Sequence, residues 1–220
     1  VSLDHVGPMC PKVADAALLL QALVGYDPHG ITSIRATIPN YSSALQRRTS
    51  TLRLGVPREM FSENVDPQIL RAVEQALSVL RDLTAGVQDV ELPVRPQESP
   101  VVAEAYAYHE EYLAERRALY NPSTAERIAR GANVSAADYV ELLYDLELVR
   151  KAIDDVFSDV DLLISPTLAR LPVTIEAAQE SPVAATLELI ENTSPFNVYG
   201  TPAISVPCGF SDEGWPCLLY

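Results

Sequence analysis

The chain has 220 residues, 48% of them apolar and 21% charged, with 16 Lys+Arg against 30 Asp+Glu for a formal net charge of −14. That composition excludes wholesale disorder, and a chain of this length can bury a core without disulfides or metals. The acidic balance repels phosphate backbones and anionic surfaces, so no direct nucleic-acid partner and no membrane partner are expected. Cys10, Cys208 and Cys217 are too scattered for a disulfide framework or a zinc site, which fits a reducing cytoplasm. No targeting segment is visible: the apolar stretch Ala16 to Val24 is broken by Gln21 and falls short of the ~18 residues of a membrane span. The chain opens on Val1 and at once enters the turn-like Asp4-His5-Val6-Gly7-Pro8, so both ends read as truncations.

In chain order, Val13 to Val24 is predicted helical, with Ala17, Leu20 and Val24 on one face and Gly25 as the stop. Residues 26–51 read as loop. Leu52 to Val56 is a predicted strand ended by Pro57. Asp66-Pro67 reads as an N-cap followed by proline in the first helical position, where its missing N–H costs nothing. The stripe Ile69, Leu70, Val73, Ala76, Leu77, Leu80 and Leu83 then predicts a helix that Gly86 stops, and Val87 to Leu92 predicts a second strand. Strand–helix–strand in this order implies a crossover unit of an α/β sheet. Pro100 to Leu119 is predicted helical, with Pro122 as a breaker. Ser135 and Asp138 form a weak capping box ahead of a helix reaching about Phe157, its stripe being Leu142, Leu146, Val149, Ile153 and Val156. Asp161 to Ser165 is a predicted strand, Ala184 to Ile190 a helix, and Ala203 to Val206 a strand.

Chemistry is hard to find in these residues. His5, His29 and His109 are far apart, and none has metal-ligand spacing from a histidine or cysteine pair. The carboxylates Glu110-Glu111 and Asp154-Asp155 are helix neighbours pointing about 100° apart, which suits a solvated face. His109 beside Glu110 fails for the same reason. A hydroxyl nucleophile needs a base and converging N–H donors. Ser42-Ser43 has neither glycine nor lysine nearby, and nothing gives Lys12 or Lys151 a hydroxyl partner. The residues alone predict a fold without a reaction centre, so no catalytic residue, metal or cofactor is assigned.

Two segments change the reading. Ser2-Leu3-Asp4-His5-Val6-Gly7-Pro8-Met9, followed by Val13 to Gln21, is the first; Asn192-Thr193-Ser194-Pro195-Phe196-Asn197, running through Gly200-Thr201-Pro202-Ala203-Ile204-Ser205-Val206-Pro207-Cys208-Gly209-Phe210, is the second. Between them stand Leu54-Gly55-Val56-Pro57-Arg58-Glu59, Ala137-Asp138-Tyr139 and Val160-Asp161-Leu162-Leu163-Ile164-Ser165-Pro166-Thr167. In this order, from Val1 to about Pro216, they resemble the amidase signature family. The resemblance implies an α/β fold with a mixed twisted sheet covered by helices, and hydrolysis or transfer of amides by a Ser–Ser–Lys triad. In that family the lysine and the Gly/Ser-rich loop precede the Ser2–Pro8 segment. Residue by residue, then, no catalytic residue carries over, and 1–220 is expected to be the C-terminal part of a single amidase domain, inactive alone.

What the resemblance does carry over is a pocket wall for a small-molecule amide substrate: Thr167, Thr193, Phe196 and Asn197. For Phe196 and Asn197 the competing assignments are core packing and backbone capping, since buried polar groups are usually structural. Cys217-Leu218-Leu219 departs from the family, which has glycine where Leu218 stands; the side chain is expected to disturb close strand packing. Arg127-Ile128 and Gly131 also resemble the glutamine-hydrolysing component of glutamine-dependent tRNA amidotransferases. There the acidic partner of the glutamine amino group would fall at Ile190, one position from Glu191, which favours a hydrolytic amidase over the transferase. A non-catalytic remnant acting as an interaction module is the third reading, its exposed sheet edges expected to aggregate or dimerise edge to edge, and a homodimer is the expected assembly.

Overall fold

The computed structural model describes residues 2–30, 32–58, 65–96 and 98–220; Glu59 of the Leu54–Glu59 landmark lies outside them. The chain divides into two units, one formed by residues 2–4 with 50–220 and the other by His5–Thr49.

The larger unit is built on a sheet. β1 (Arg53–Val56) pairs in parallel with β2 (Gly86–Asp89) on one side and with β3 (Leu162–Leu163) on the other. A hairpin of β4 (Val206–Phe210) and β5 (Pro216–Leu219) is antiparallel. The two parts join through the continuation of β3: Ser165 and Tyr220 exchange backbone N–H···O bonds of 2.9 and 2.7 Å, and Thr167 N–H donates to Leu218 C=O at 2.9 Å. Pro166 has no N–H to give, but successive residues of a strand face opposite edges, and the donors this edge needs are those of Ser165 and Thr167. The result is a mixed sheet within an α/β fold, as the resemblance implied.

Helices cover both faces. α3 (Pro67–Leu83) starts on Asp66, whose carboxylate accepts from Gln68 N–H at 2.8 Å, with Pro67 in the first turn. It buries Ile69, Ala72, Val73 and Leu77 against Leu54, Val56, Ile164, Cys217 and Leu219 of the sheet. Each large apolar side chain removed from water this completely contributes about 1.5–3 kcal/mol, which makes this cluster the main anchor of the unit. Leu70 and Leu83 of the predicted stripe are exposed, so the stripe is narrower than expected.

On the opposite face, α6 (Ala136–Asp159) and α9 (Ser194–Tyr199) bring Val149, Ile153, Phe196 and Tyr199 together beside Leu163 and Tyr220. Leu163 and Ile164 thus face different clusters, the alternation expected of a strand buried on both sides. The Ser135–Asp138 capping box is complete, with bonds of 3.1 and 3.2 Å.

The remaining helices of this unit are α4 (Val101–Arg116), α5 (Pro122–Ala129), α7 (Ile175–Glu180) and α8 (Pro182–Ile190). The helical run from Pro100 does end before Pro122, but the sequence reading does not foresee α5, which starts at that proline. Asn121 accepts from Ser123 N–H at 3.0 Å, and the proline begins a helix. Two further differences lie at the C-terminal end. The predicted strand Ala203–Val206 enters a ladder only at Val206, and Cys217-Leu218-Leu219 forms a strand in which half-buried Leu218 faces Pro207, beside a register shift between Pro207 and Gly209 of β4.

The smaller unit holds α1 (Val13–Leu23) and the short α2 (Tyr41–Ala44), the latter lying inside the stretch predicted as loop. Asn40 caps α2 by accepting from Ser43 N–H at 2.9 Å, and Gln21 of α1 accepts from Tyr41 N–H at 3.0 Å. Ala17, Leu20 and Val24 are half-buried, and no described residue of this unit is fully buried.

Candidate functional site

Three segments converge where β3 leaves the sheet. The first is Ser165–Thr167. The second is the entry to α9, where Pro195 fixes the first turn; Gly200, with φ of +69°, lets the chain reverse after it while its N–H reaches Asn197 C=O at 3.2 Å. The third is the stretch 201–206 leading into β4. Asn192, 2% exposed, holds the first two together by donating from Nδ2 to Pro166 C=O at 3.0 Å.

Each residue proposed for the pocket wall has a defined place here. Thr167 is buried, and its Oγ1 lies 2.8 Å from Ser205 Oγ, which links the strand end to the third segment. Thr193 precedes α9, and its hydroxyl donates to Ile190 C=O at 3.4 Å. Phe196 is 5% exposed and packs edge-on against Tyr199 and Tyr220, with centroid distances of 6.3 and 5.1 Å. Asn197 donates from Nδ2 to Leu3 C=O at 2.9 Å. Thr193 and Phe196 are neighbours, Phe196 N–H donating to Thr193 C=O at 3.2 Å; Thr167 is bonded to Ser205 instead, and the Asn197 amide is engaged by main chain.

The Ser2–Leu3 segment is held by more than Asn197. Arg150 Nη2 donates to Ser2 C=O at 2.8 Å and its Nε to Val198 C=O at 3.2 Å. Glu104 accepts from Ser2 N–H at 2.7 Å, from the Ser2 hydroxyl, and from Tyr139 OH at 3.2 Å. Burial works against the Glu104 carboxylate, but these donors outweigh it and hold the group below its ordinary value of 4.5. Burial raises the phenols of Tyr199 and Tyr220, keeping both neutral; Tyr199 OH donates to Pro93 C=O at 2.8 Å.

Sequence reasoning misses Asn192 and Ser205. Asn192 stands in one of the family-like segments, but only the fold shows that its amide faces a carbonyl 26 positions earlier. Two buried hydroxyl oxygens nearby, Ser165 Oγ and Thr201 Oγ1, have no hydrogen-bond partner among the described residues. Leaving such a group unsatisfied costs about 1–3 kcal/mol, so each invites a partner. Neither Lys12 nor Lys151, both exposed, is hydrogen-bonded to a hydroxyl among the described residues. No group of His, Cys, Asp and Glu able to hold a metal occurs among them either. Phe196 and Thr201 line a cavity, the arrangement offers neutral hydroxyls, and no hydroxyl is bonded to a lysine among the described residues.

The family model described as Amidase matches residues 1–217. The chain belongs to the Amidase family. Among the curated amidases it resembles is one from Pseudomonas putida, 34% identical over 223 residues that cover 97% of this chain and 48% of the relative. A glutamyl-tRNA(Gln) amidotransferase component from Synechococcus sp. (strain CC9311) is 35% identical, with 98% of this chain and 50% of the relative covered. The crystal structure of the corresponding Thermotoga maritima protein superposes with a TM-score of 0.75 at 26% identity, over 100% of this chain and 49% of that one. A bacterial aryl acylamidase shares the fold, with a TM-score of 0.75 at 24% identity over 97% of this chain and 48% of that one. This amidase-family chain thus spans about half the length of the curated relatives it matches.

Proposed function

We propose that the protein to which this chain belongs is an amidase that hydrolyses carboxylic amide C–N bonds by a Ser–Ser–Lys mechanism, with the triad outside these 220 residues. In this reading a serine oxygen adds to the amide carbonyl while its proton passes through a bridging serine to a neutral lysine. The C–N bond then breaks as the amine takes that proton, and water hydrolyses the acyl-serine to the acid. The chain contributes the opposite wall, with the Thr167–Ser205 hydroxyl pair and the Phe196 ring shaping the pocket while Thr193 and Asn197 position α9. It forms one domain with the part that holds the triad. The observation that carries the reading is the family match over residues 1–217 in a chain whose lysines meet no hydroxyl among the described residues.

The purified chain is expected to release no ammonia from simple amides above the buffer rate and to take no label from a fluorophosphonate serine probe. Labelling of any serine in the isolated chain would overturn the assignment of the nucleophile to another segment. The transferase reading is favoured by the relatives named as components of glutamyl-tRNA(Gln) amidotransferase, at 33–35% identity for several of them. Against it stands Ile190, an apolar side chain 41% exposed, where a carboxylate would be required.

A further inference from the structure

Along the sequence the three cysteines are scattered, but the β4–β5 hairpin brings two of them together. Gly209 stands opposite Cys217 in the ladder, and the register shifts between Pro207 and Gly209, so Cys208 is the extra residue of a β-bulge. At a bulge two residues of one strand share a single partner, which sets Cys208 beside Cys217 as well. The Cys208 thiol accordingly donates to Cys217 C=O at 3.4 Å. Both side chains lie on the α3 side of the hairpin: Cys217 belongs to the buried cluster with Ala72, Val73 and Leu219, and Cys208 packs against that cluster. Facing Cα atoms of an antiparallel pair are about 4.5–5.5 Å apart, within the roughly 4.4–6.8 Å that a disulfide spans. Access to the two thiols is unequal, Cys217 being 2% exposed and Cys208 half-buried. Burial raises both, and Cys217 raises Cys208 further, so the reactive thiolate is scarce at neutral pH. A metal ion would need more ligands than two sulfurs, and no group of three or more His, Cys, Asp or Glu able to hold one occurs among the described residues.

We propose that Cys208 and Cys217 form a reversible redox modification site: exposed to a low-molecular-weight disulfide such as glutathione disulfide, they close a disulfide across the bulge and lock the hairpin. The order of steps follows from access. Cys208 Sγ, as thiolate, attacks one sulfur of glutathione disulfide; that S–S bond breaks, a mixed disulfide forms and one glutathione thiolate leaves. Cys217 Sγ then attacks the Cys208 sulfur and expels the second glutathione thiolate. The two protein thiol protons end on the two glutathiones, and the two electrons lost by the cysteine pair reduce the glutathione disulfide. The partners are nine positions apart in the chain, so the lock ties the two strands of one hairpin and nothing more distant. That hairpin is where the continuation of β3 is held: Leu218, next to Cys217, accepts from Thr167 N–H at 2.9 Å. The redox state of the pair thereby bears on the strand that carries Thr167. The site stands apart from the proposed activity, since it needs the hairpin alone.

The test incubates the 220-residue chain with glutathione disulfide, blocks remaining thiols with N-ethylmaleimide and maps the peptides by mass before and after reduction. A peptide pair joined through Cys208 and Cys217 is expected, lighter by two hydrogen atoms than the two thiols and released by dithiothreitol. Cys10, in the smaller unit, should carry glutathione or the blocking reagent instead. Because the fold assembles the pair, the joined fraction should drop by at least about tenfold when the same exchange is run in urea. The joined chain should melt about 5–10 °C higher than the reduced one, the gain expected of a short closed loop in a chain of this size. Cys217→Ser should trap Cys208 as its glutathione adduct, Cys208→Ser should leave the buried Cys217 unmodified, and Cys10→Ser should change nothing at the hairpin. The proposal is overturned if Cys208 and Cys217 finish as free thiols or as separate glutathione adducts, or if either is joined to Cys10. It is equally overturned if urea leaves the joined fraction unchanged, or if closing the link lowers the melting temperature.

Discussion

The Glu104 carboxylate, bonded to Ser2 and Tyr139, holds the Ser2–Leu3 segment in place. It collects the Ser2 N–H, the Ser2 hydroxyl and the Tyr139 hydroxyl. Because the folded-state pKa lies below the ordinary 4.5, the group binds its proton more weakly when folded than when unfolded. Its contribution to stability is therefore full above about pH 4.5 and is lost as pH falls through the lower folded value. Water reaches part of the carboxylate, which screens these bonds and reduces their net worth to about 1 kcal/mol. Glu104→Gln is expected to lower stability by that amount near pH 7, with the gap to the parent chain closing as the pH drops below 4.5. Urea titrations at pH 7 and pH 3.5 check it, and a gap that stays constant or widens in acid would refute it. None of this is legible in the sequence. Residues 2 and 104 lie 102 positions apart, and Asn197 meets a carbonyl 194 positions away. Sequence periodicity reports which face of an element is apolar; it is silent on which distant carbonyl an amide will meet.

At the scale of elements, legibility follows local determination. α3 and α6 are readable because their caps and their apolar spacing are both encoded within a few residues: Asp66-Pro67 for one, Ser135 with Asp138 for the other. α5 escapes a reading that weighs proline as a helix breaker, although after Asn121 it sits where a helix tolerates it. The strand expected at Ala203 begins three residues late because a strand needs a neighbour as well as a propensity. The packing of α4 against the 3₁₀ turn Arg130–Asn133 depends on a missing side chain. A Cβ on Gly131 would stand 2.1 Å from the carbonyl oxygen of Val102 and 2.5 Å from Tyr106 Cβ. The first obstacle is backbone and cannot swing aside, so the helix and the turn must separate. Gly131→Ala is expected to destabilise the larger unit by roughly 1–3 kcal/mol, the usual range for overpacking. Thermal unfolding monitored through the Leu113–Ala125–Ile128 cluster, for instance by the fluorescence of the adjoining Tyr106 and Tyr120, would show it. An unchanged midpoint would mean that this contact is looser than the geometry states.

The molecule as a whole combines two units of very different internal consolidation. In the larger one, Leu54, Leu77, Ile153 and Val160 are no more than 2% exposed, and sheet, helices and hairpin share these contacts. In His5–Thr49 no described residue is fully buried, and Val6, Met9, Leu18, Leu23 and Ile34 are all more than half exposed. Opening a segment costs free energy in proportion to the apolar area and backbone hydrogen bonds it sequesters, so local stability should differ sharply between the units. α1 has a cap that makes no side-chain bond at its start, and a helix of only eleven residues is marginal in water without tertiary burial. Its amides should exchange orders of magnitude faster than those of α3 and β1, whose exchange should approach the limit set by global unfolding. Hydrogen–deuterium exchange on the purified chain, read peptide by peptide, distinguishes the cases. Comparable protection in Val13–Leu23 and Pro67–Leu83 would show that the smaller unit is consolidated by contacts its own burial does not account for.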